Sequence, residues 1–316
     1  MTFNSNLDGM GGRASSGGSS GGSGGFGFGG GNRGGGGNGL GMIMALVGSR
    51  FGIPGIIVVA VIGFFMAGGT GMFGAGSSSD NMVGRGDVST DSSLDHCRTW
   101  EDANTYDDCR IEGTAISLDS VWSEILPAEA GIAYTEPDVR IGDGTVNTGC
   151  GQASTARTGP FYCPGDRTVY IGDDFFAQLK DMGGSDGSFA QMYVVAHEFG
   201  HHIQNLQGTI GLSDYNQAGE NSNAVKMELQ ADCYAGVWAH HADNGDNAML
   251  DPLTDDQVAQ AIRSAQAIGD DAIQRSSGSA VNPDAWTHGS SVQRQQWFTR
   301  GYQGGTVNAC HQDFAR

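Results

Sequence analysis

Positive charge is scarce in this sequence. Its 316 residues hold 16 Lys and Arg against 35 Asp and Glu, a formal charge of −19. A chain this acidic is repelled by nucleic acid and by anionic lipid surfaces, so neither is expected as a partner. Arg13 and Arg33 lie in a Gly-rich setting, but two charges are too few to hold a phosphate backbone. Cysteines at CxxC spacing are missing too, which removes the zinc-knuckle and dithiol redox classes. Most of the first forty residues lack anything to bury. The run "GGRASSGGSSGGSGGFGFGGGNRGGGGNG" cannot offset the entropy lost on ordering, and residues 1–39 are expected to form a disordered Gly-rich tail.

Charge is wholly absent from "FGIPGIIVVAVIGFFMAGGTGMFG", Phe51 to Gly74. Its length matches the ~20 apolar residues that cross a bilayer, so a single transmembrane anchor is expected within residues 40–75. Arg13, Arg33 and Arg50 precede it with one acid, Asp8, whereas Asp80, Asp87, Asp91 and Asp95 follow. The positive-inside rule then places the tail in the cytoplasm and residues 76–316 in the periplasm or outside the cell. The apolar run begins too far along the chain for a cleaved signal peptide. All six cysteines follow it, in keeping with an oxidising compartment. Nearest-neighbour pairing gives Cys97–Cys109, Cys150–Cys163 and Cys233–Cys310.

Past the anchor the pattern is mixed. "SLDSVWSEIL" predicts a short helix with Ser117 as its N-cap, and "DVRIG" and "RTVYIG" alternate as strands do. "FAQMYVVAHEFGHHIQNL" places Phe189, Met192, Val195, Phe199, Ile203 and Leu206 at helical intervals. Three more helical stretches follow: "AVKMELQADCYAGVWAHHA", "TDDQVAQAIRSAQAIGDDAI" and "SSVQRQQWFTRGY". Strands first and helices after predict an α+β domain.

Three of the eight histidines fall in "VVAHEFGHHIQ". His197 and His201 are four apart, so both imidazoles share one helix face, one turn from each other. Glu198 adjoins His197 and can reach a water at a shared ion without being a ligand itself. This is the HExxH pattern of one catalytic Zn²⁺ with a carboxylate base. His202 lies about 100° further round and is expected to pack or hydrogen-bond instead.

Catalytic zinc normally takes three protein ligands. Glu228, 27 residues after His201 on the next helical stretch, is the candidate third. Asp232, one turn beyond it, can accept the outer N–H of a ligand imidazole. Glu220 has Ala224 where that second acid would stand, and His240 and His241 lie at the far end of the same stretch. The HExxHxxGxxH extension fails, because Gln204 and Gln207 occupy its Gly and His positions.

HExxH followed by ExxxD resembles the gluzincin-type zinc peptidases. "GPFYCPGDRTVYI", "VVAHEFGHHIQ", "ELQADCYAGVW" and "THGSSVQRQQWF" resemble the bacterial putative neutral zinc metallopeptidase family, from about Val121 to the C-terminus. That resemblance implies a membrane-anchored protease of zincin-like fold, with a twisted sheet over the active-site helix. It carries the metal positions onto His197, His201 and Glu228, and the base onto Glu198. CAAX-prenyl-endopeptidase-type gluzincins share a Thr-His pair followed by Arg, a spacing matched here by His288 and Arg294. It implies that His288 stabilises an oxyanion and that Arg294 braces Asp232. By the same resemblance "GDRTVYIG" takes the place of the edge strand that pairs with substrate.

The expected function is therefore zinc-dependent hydrolysis of a protein or peptide substrate. The alternative is a catalytically silent, zinc-stabilised binding or scaffold module. Closed structural zinc usually takes four protein ligands, often cysteines, whereas three ligands beside a free carboxylate favour catalysis.

Overall fold

The computed structural model describes residues 2–16, 94–172, 175–213 and 217–314. Helix α1 (Trp100–Thr105) opens with a capping box between Thr99 and Asp102. Helix α2 (Asp107–Ile125) follows at once and is longer than the stretch predicted from Ser117. Ser117 is not its N-cap. It is buried mid-helix, where its hydroxyl accepts a hydrogen bond from Trp238 Nε1 at 3.1 Å. The preceding turns carry Arg110, Glu112 and Thr114, whose polarity conceals that they are buried.

A four-stranded sheet has the spatial order β1 (Ala14–Ser16), β2 (Asp138–Ile141), β6 (Thr168–Ile171), β5 (Phe161–Cys163). The first three run parallel and β5 is antiparallel to β6. A separate hairpin joins β3 (Thr145–Thr148) to β4 (Gly151–Ser154), and one helical turn, α3 (Thr155–Thr158), leads on to β5. The strand predicted at "RTVYIG" is β6, which is interior, with β2 and β5 on its two sides. It therefore cannot be the substrate edge, and β5 is the terminal strand on that side of the sheet.

The second half is helical: α4 (Phe175–Asp181), α5 (Ser188–Leu206), α6 (Asn223–Ala242), α7 (Asp255–Ala267), α8 (Asp270–Ser276) and α9 (Ser291–Gly304). The helix expected over 254–273 breaks at Ile268 and Gly269, and Gly269 becomes the N-cap of α8. Helix α5 sends Phe189, Met192, Val195, Phe199 and Ile203 into the core and packs on β5, β6 and α6. Gly200 sets the α5–α6 crossing, since a Cβ there would lie 2.8 Å from the Ala231 backbone. That close approach carries the faces bearing His201 and Glu228 toward each other.

Three disulfides fasten this α+β body: Cys97–Cys109, Cys150–Cys163 and Cys233–Cys310. The first pins the lead-in of α1 to α2, and the last ties α6 to the C-terminal turn Val307–Cys310.

The disordered tail expected over 1–39 needs correction at residues 2–16. Phe3, Leu7, Met10 and Ala14 belong to the main core, and β1 pairs with β2. A few apolar side chains scattered ahead of a Gly/Ser-rich tract suffice, because the receiving surface is already built. The anchor expected within 40–75 lies outside the described residues. Among the described residues, no helix is long and apolar enough to cross a membrane.

Candidate metal centre

The α5–α6 crossing brings His197, His201 and Glu228 together, with one donor atom from each lying within 4.8 Å of the others. His197 Nε2 stands 3.3 Å from Glu228 Oε2, and His201 Nε2 stands 3.7 Å from Glu228 Oε1. Donors about 2.1 Å from one tetrahedral ion are spaced by about 3.4 Å, so this set fits a zinc ion.

What lies behind the imidazoles supports the same fit. His197 Nδ1 is 2.8 Å from Asp232 Oδ1, and His201 Nδ1 is 2.8 Å from Gln204 Oε1. The Gln204 amide is oriented by its own N–H groups, which donate to Met227 O at 2.7 Å and Gln230 Oε1 at 3.1 Å. Its oxygen must therefore face His201. Both rings are thus held with hydrogen on Nδ1, leaving both Nε2 lone pairs for a metal.

Asp232 is fully buried and satisfied from three directions. Arg294 of α9 forks onto it, Nε to Oδ2 at 2.8 Å and Nη2 to Oδ1 at 2.9 Å, and the Tyr193 hydroxyl donates to Oδ1. Burial alone would raise this carboxyl, but Arg294 and His197 hold it down at about 2. It stays ionised throughout the physiological range.

Glu198 is buried beside the three and is not one of the clustered donors. Burial raises its pKa, opposed by the two imidazoles and by the backbone N–H of Tyr162 in β5. Glu228 goes the other way: burial would raise it, but His201, His197 and His288 hold it well below the usual carboxylate range.

His288 sits on the loop before α9 and is organised by Asp270, at the start of α8. One Asp270 oxygen accepts the backbone N–H groups of Thr287, His288 and Gly289 at 2.8, 2.7 and 3.0 Å. The other lies 3.3 Å from His288 Nδ1. Burial disfavours a charged His288, but Asp270 and Glu228 outweigh it and raise its pKa above the ordinary histidine value. His202 faces away, with Nε2 2.6 Å from Thr135 O and Nδ1 3.0 Å from the Tyr162 hydroxyl.

The sequence reading missed Tyr193, Gln204 and Asp270. The first two had a signal, lying four residues before His197 and three after His201 on the same helix. Asp270 had none. A second His/Cys/Asp cluster, His96, Cys97, Asp108 and Cys109, offers no thiolate, because its two sulfurs form a disulfide.

Two imidazoles one turn apart and a carboxylate from the next helix make a three-donor set that fits a zinc ion, with the carboxylate of Glu198 adjoining it. The chain belongs to the putative neutral zinc metallopeptidase family, whose model matches residues 10–313. An uncharacterised protein of Mycobacterium tuberculosis strain H37Rv is 48% identical over 223 residues, which cover 69% of this chain and 74% of that one. The uncharacterised protein YpfJ of Escherichia coli K12 is 44% identical over 186 residues, 57% of this chain and 63% of its own length. No solved structure matches the chain.

Proposed function

We propose that this chain is a zincin-type peptidase that hydrolyses peptide bonds outside the cytoplasm. The observation that carries the catalytic reading is Glu198: a buried carboxylate with a raised pKa, beside His197, His201 and Glu228 but not among them. A purely structural metal site has no use for such a group.

His197, His201 and Glu228 would hold a zinc ion, which would supply a Lewis acid and bring the pKa of a water to about 7. Glu198 takes a proton from the attacking water and returns it to the leaving nitrogen. His288, with Nδ1 turned to Asp270, presents Nε2 to the oxygen on which charge develops. Nδ1 lies between the Thr287 hydroxyl at 3.0 Å and Asp270 Oδ1 at 3.3 Å, and as an imidazolium, which the raised pKa favours, His288 donates from Nε2 as well. Arg294 holds Asp232, and Asp232 holds His197. An extended peptide pairing with the outer edge of β5 would lie beside Glu198, since Tyr162 of that strand already touches it. The three disulfides support an oxidising compartment.

The test is Glu198→Gln, assayed with a broad peptide library alongside metal analysis. Zinc content is expected to hold while turnover falls by on the order of 10²–10⁴-fold. Undiminished cleavage by the zinc-loaded variant overturns the mechanism. Zinc bound by the wild type with no peptide cleaved makes the site a structural one.

A further inference from the structure

The segment 2–16 is held by four separate parts of the body. Asn104 of α1 clamps its start: Oδ1 accepts the N–H groups of Thr2 and Phe3 at 2.9 and 3.1 Å, and Nδ2 donates to Phe3 O at 2.9 Å. The 248–251 segment flanks it, with Asn4 N to Met249 O at 2.9 Å and Asp251 N to Thr2 O at 2.9 Å. At its far end β1 pairs with β2.

Helix α2 is shaped to receive it. A Cβ on Gly113 would lie 2.8 Å from Leu7 Cδ2 and 3.2 Å from Phe3, so a larger residue there would push the tips of those two side chains aside. Glu112 is fully buried, and one of its oxygens accepts the backbone N–H groups of Arg13 and Ala14 at 2.9 and 3.4 Å. Asp119, two turns further along the same face, takes a two-point contact from Arg13, Nε to Oδ2 at 2.5 Å and Nη2 to Oδ1 at 3.2 Å. Without residues 12–14, α2 would bury a carboxylate that has lost these partners.

We infer that residues 2–16 are an integral piece of the folded body formed by residues 94–314 of the same chain, so both lie on one side of any membrane the protein meets. A single crossing between them, with an N-terminus in the cytoplasm and the metal centre outside, is incompatible with this packing. The positive-inside argument fails at a named residue. Arg13, a flanking charge by its place in the sequence, is neutralised by Asp119. The inference stands on packing alone and holds whether or not the metal centre cleaves peptides.

The full chain tests it with cysteines at two non-core positions, Asn6→Cys and Ala248→Cys, where Asn6 Nδ2 donates to Ala248 O at 2.8 Å in the native protein. Cells expressing the double variant, with a protease site inserted between residues 17 and 93, are treated with a short thiol–thiol crosslinker. After cleavage at that site, the N-terminal fragment is expected to stay covalently attached to its own body on a reducing gel. Each single variant is expected to react equally in intact cells with a maleimide that cannot cross the cytoplasmic membrane. The inference is overturned if Asn6→Cys reacts only after lysis while Ala248→Cys reacts in intact cells. It is also overturned if the crosslink joins two differently tagged copies and never forms within one.

Discussion

Gln204 stands as close to His201 as Asp232 does to His197, 2.8 Å in each case, but with an amide in place of a charge. Its donors are tied to Met227 and Gln230, so it cannot flip to offer N–H to the ring. Gln204→Leu is expected to weaken zinc binding by about 10–100-fold, read by chelator competition, with the fold intact by circular dichroism. Gln204→Glu keeps the acceptor for His201 but sets its second oxygen against Met227 O and Gln230 Oε1, so it should recover the affinity only in part. The five residues of the HExxH and ExxxD patterns were legible in the sequence because a helix fixes angular spacing whatever surrounds it. Asp270 was not legible. Its hold on His288 spans a helix break and a loop, and no periodicity connects positions 18 apart across such a connection.

Helices α5, α6 and α9 were readable almost to their ends, α5 because it buries apolar side chains at a regular interval. The strands fared worse. β1 and β5 are three residues each, too short for alternation to rise above composition, so the sequence points to β6 rather than β5 as the strand beside Glu198. The crossing of α5 over α6 was equally silent in the sequence, although its cause is one residue, Gly200 against Ala231. Gly200→Val is expected to push the helices apart and destabilise the protein by about 1–3 kcal/mol, as overpacking does. Because His201 and Glu228 ride on those two helices, zinc affinity should fall in the same variant. A lower Tm with unchanged zinc affinity would mean that the crossing does not set the ligand spacing.

The molecule as a whole should be acid-sensitive through His202, a residue outside the metal cluster. Burial lowers its pKa to about 4, against the favourable carbonyl of Thr135. The folded state therefore prefers the neutral ring and binds fewer protons than the unfolded chain between about pH 4 and 6.5. The stability involved is fully present above the unfolded value and is lost as pH falls through that window, about 3 kcal/mol at most. Urea midpoints of metal-free protein should drop more steeply from pH 6.5 to 4 in the wild type than in His202→Gln; equal slopes would refute the assignment. The docked N-terminal segment was the largest feature hidden from sequence reading, since a Gly/Ser-rich window averages away Phe3, Leu7 and Met10. It also gives synthesis a timetable. Asn4 and its partner Ala248 are 244 residues apart in the chain. At ~5–20 residues per second, the first residues made wait roughly 10–50 s for the last surface they pack against. During that wait Phe3, Leu7 and Met10 are bare apolar side chains, and anything that binds such a nascent segment competes with the protein's own completion.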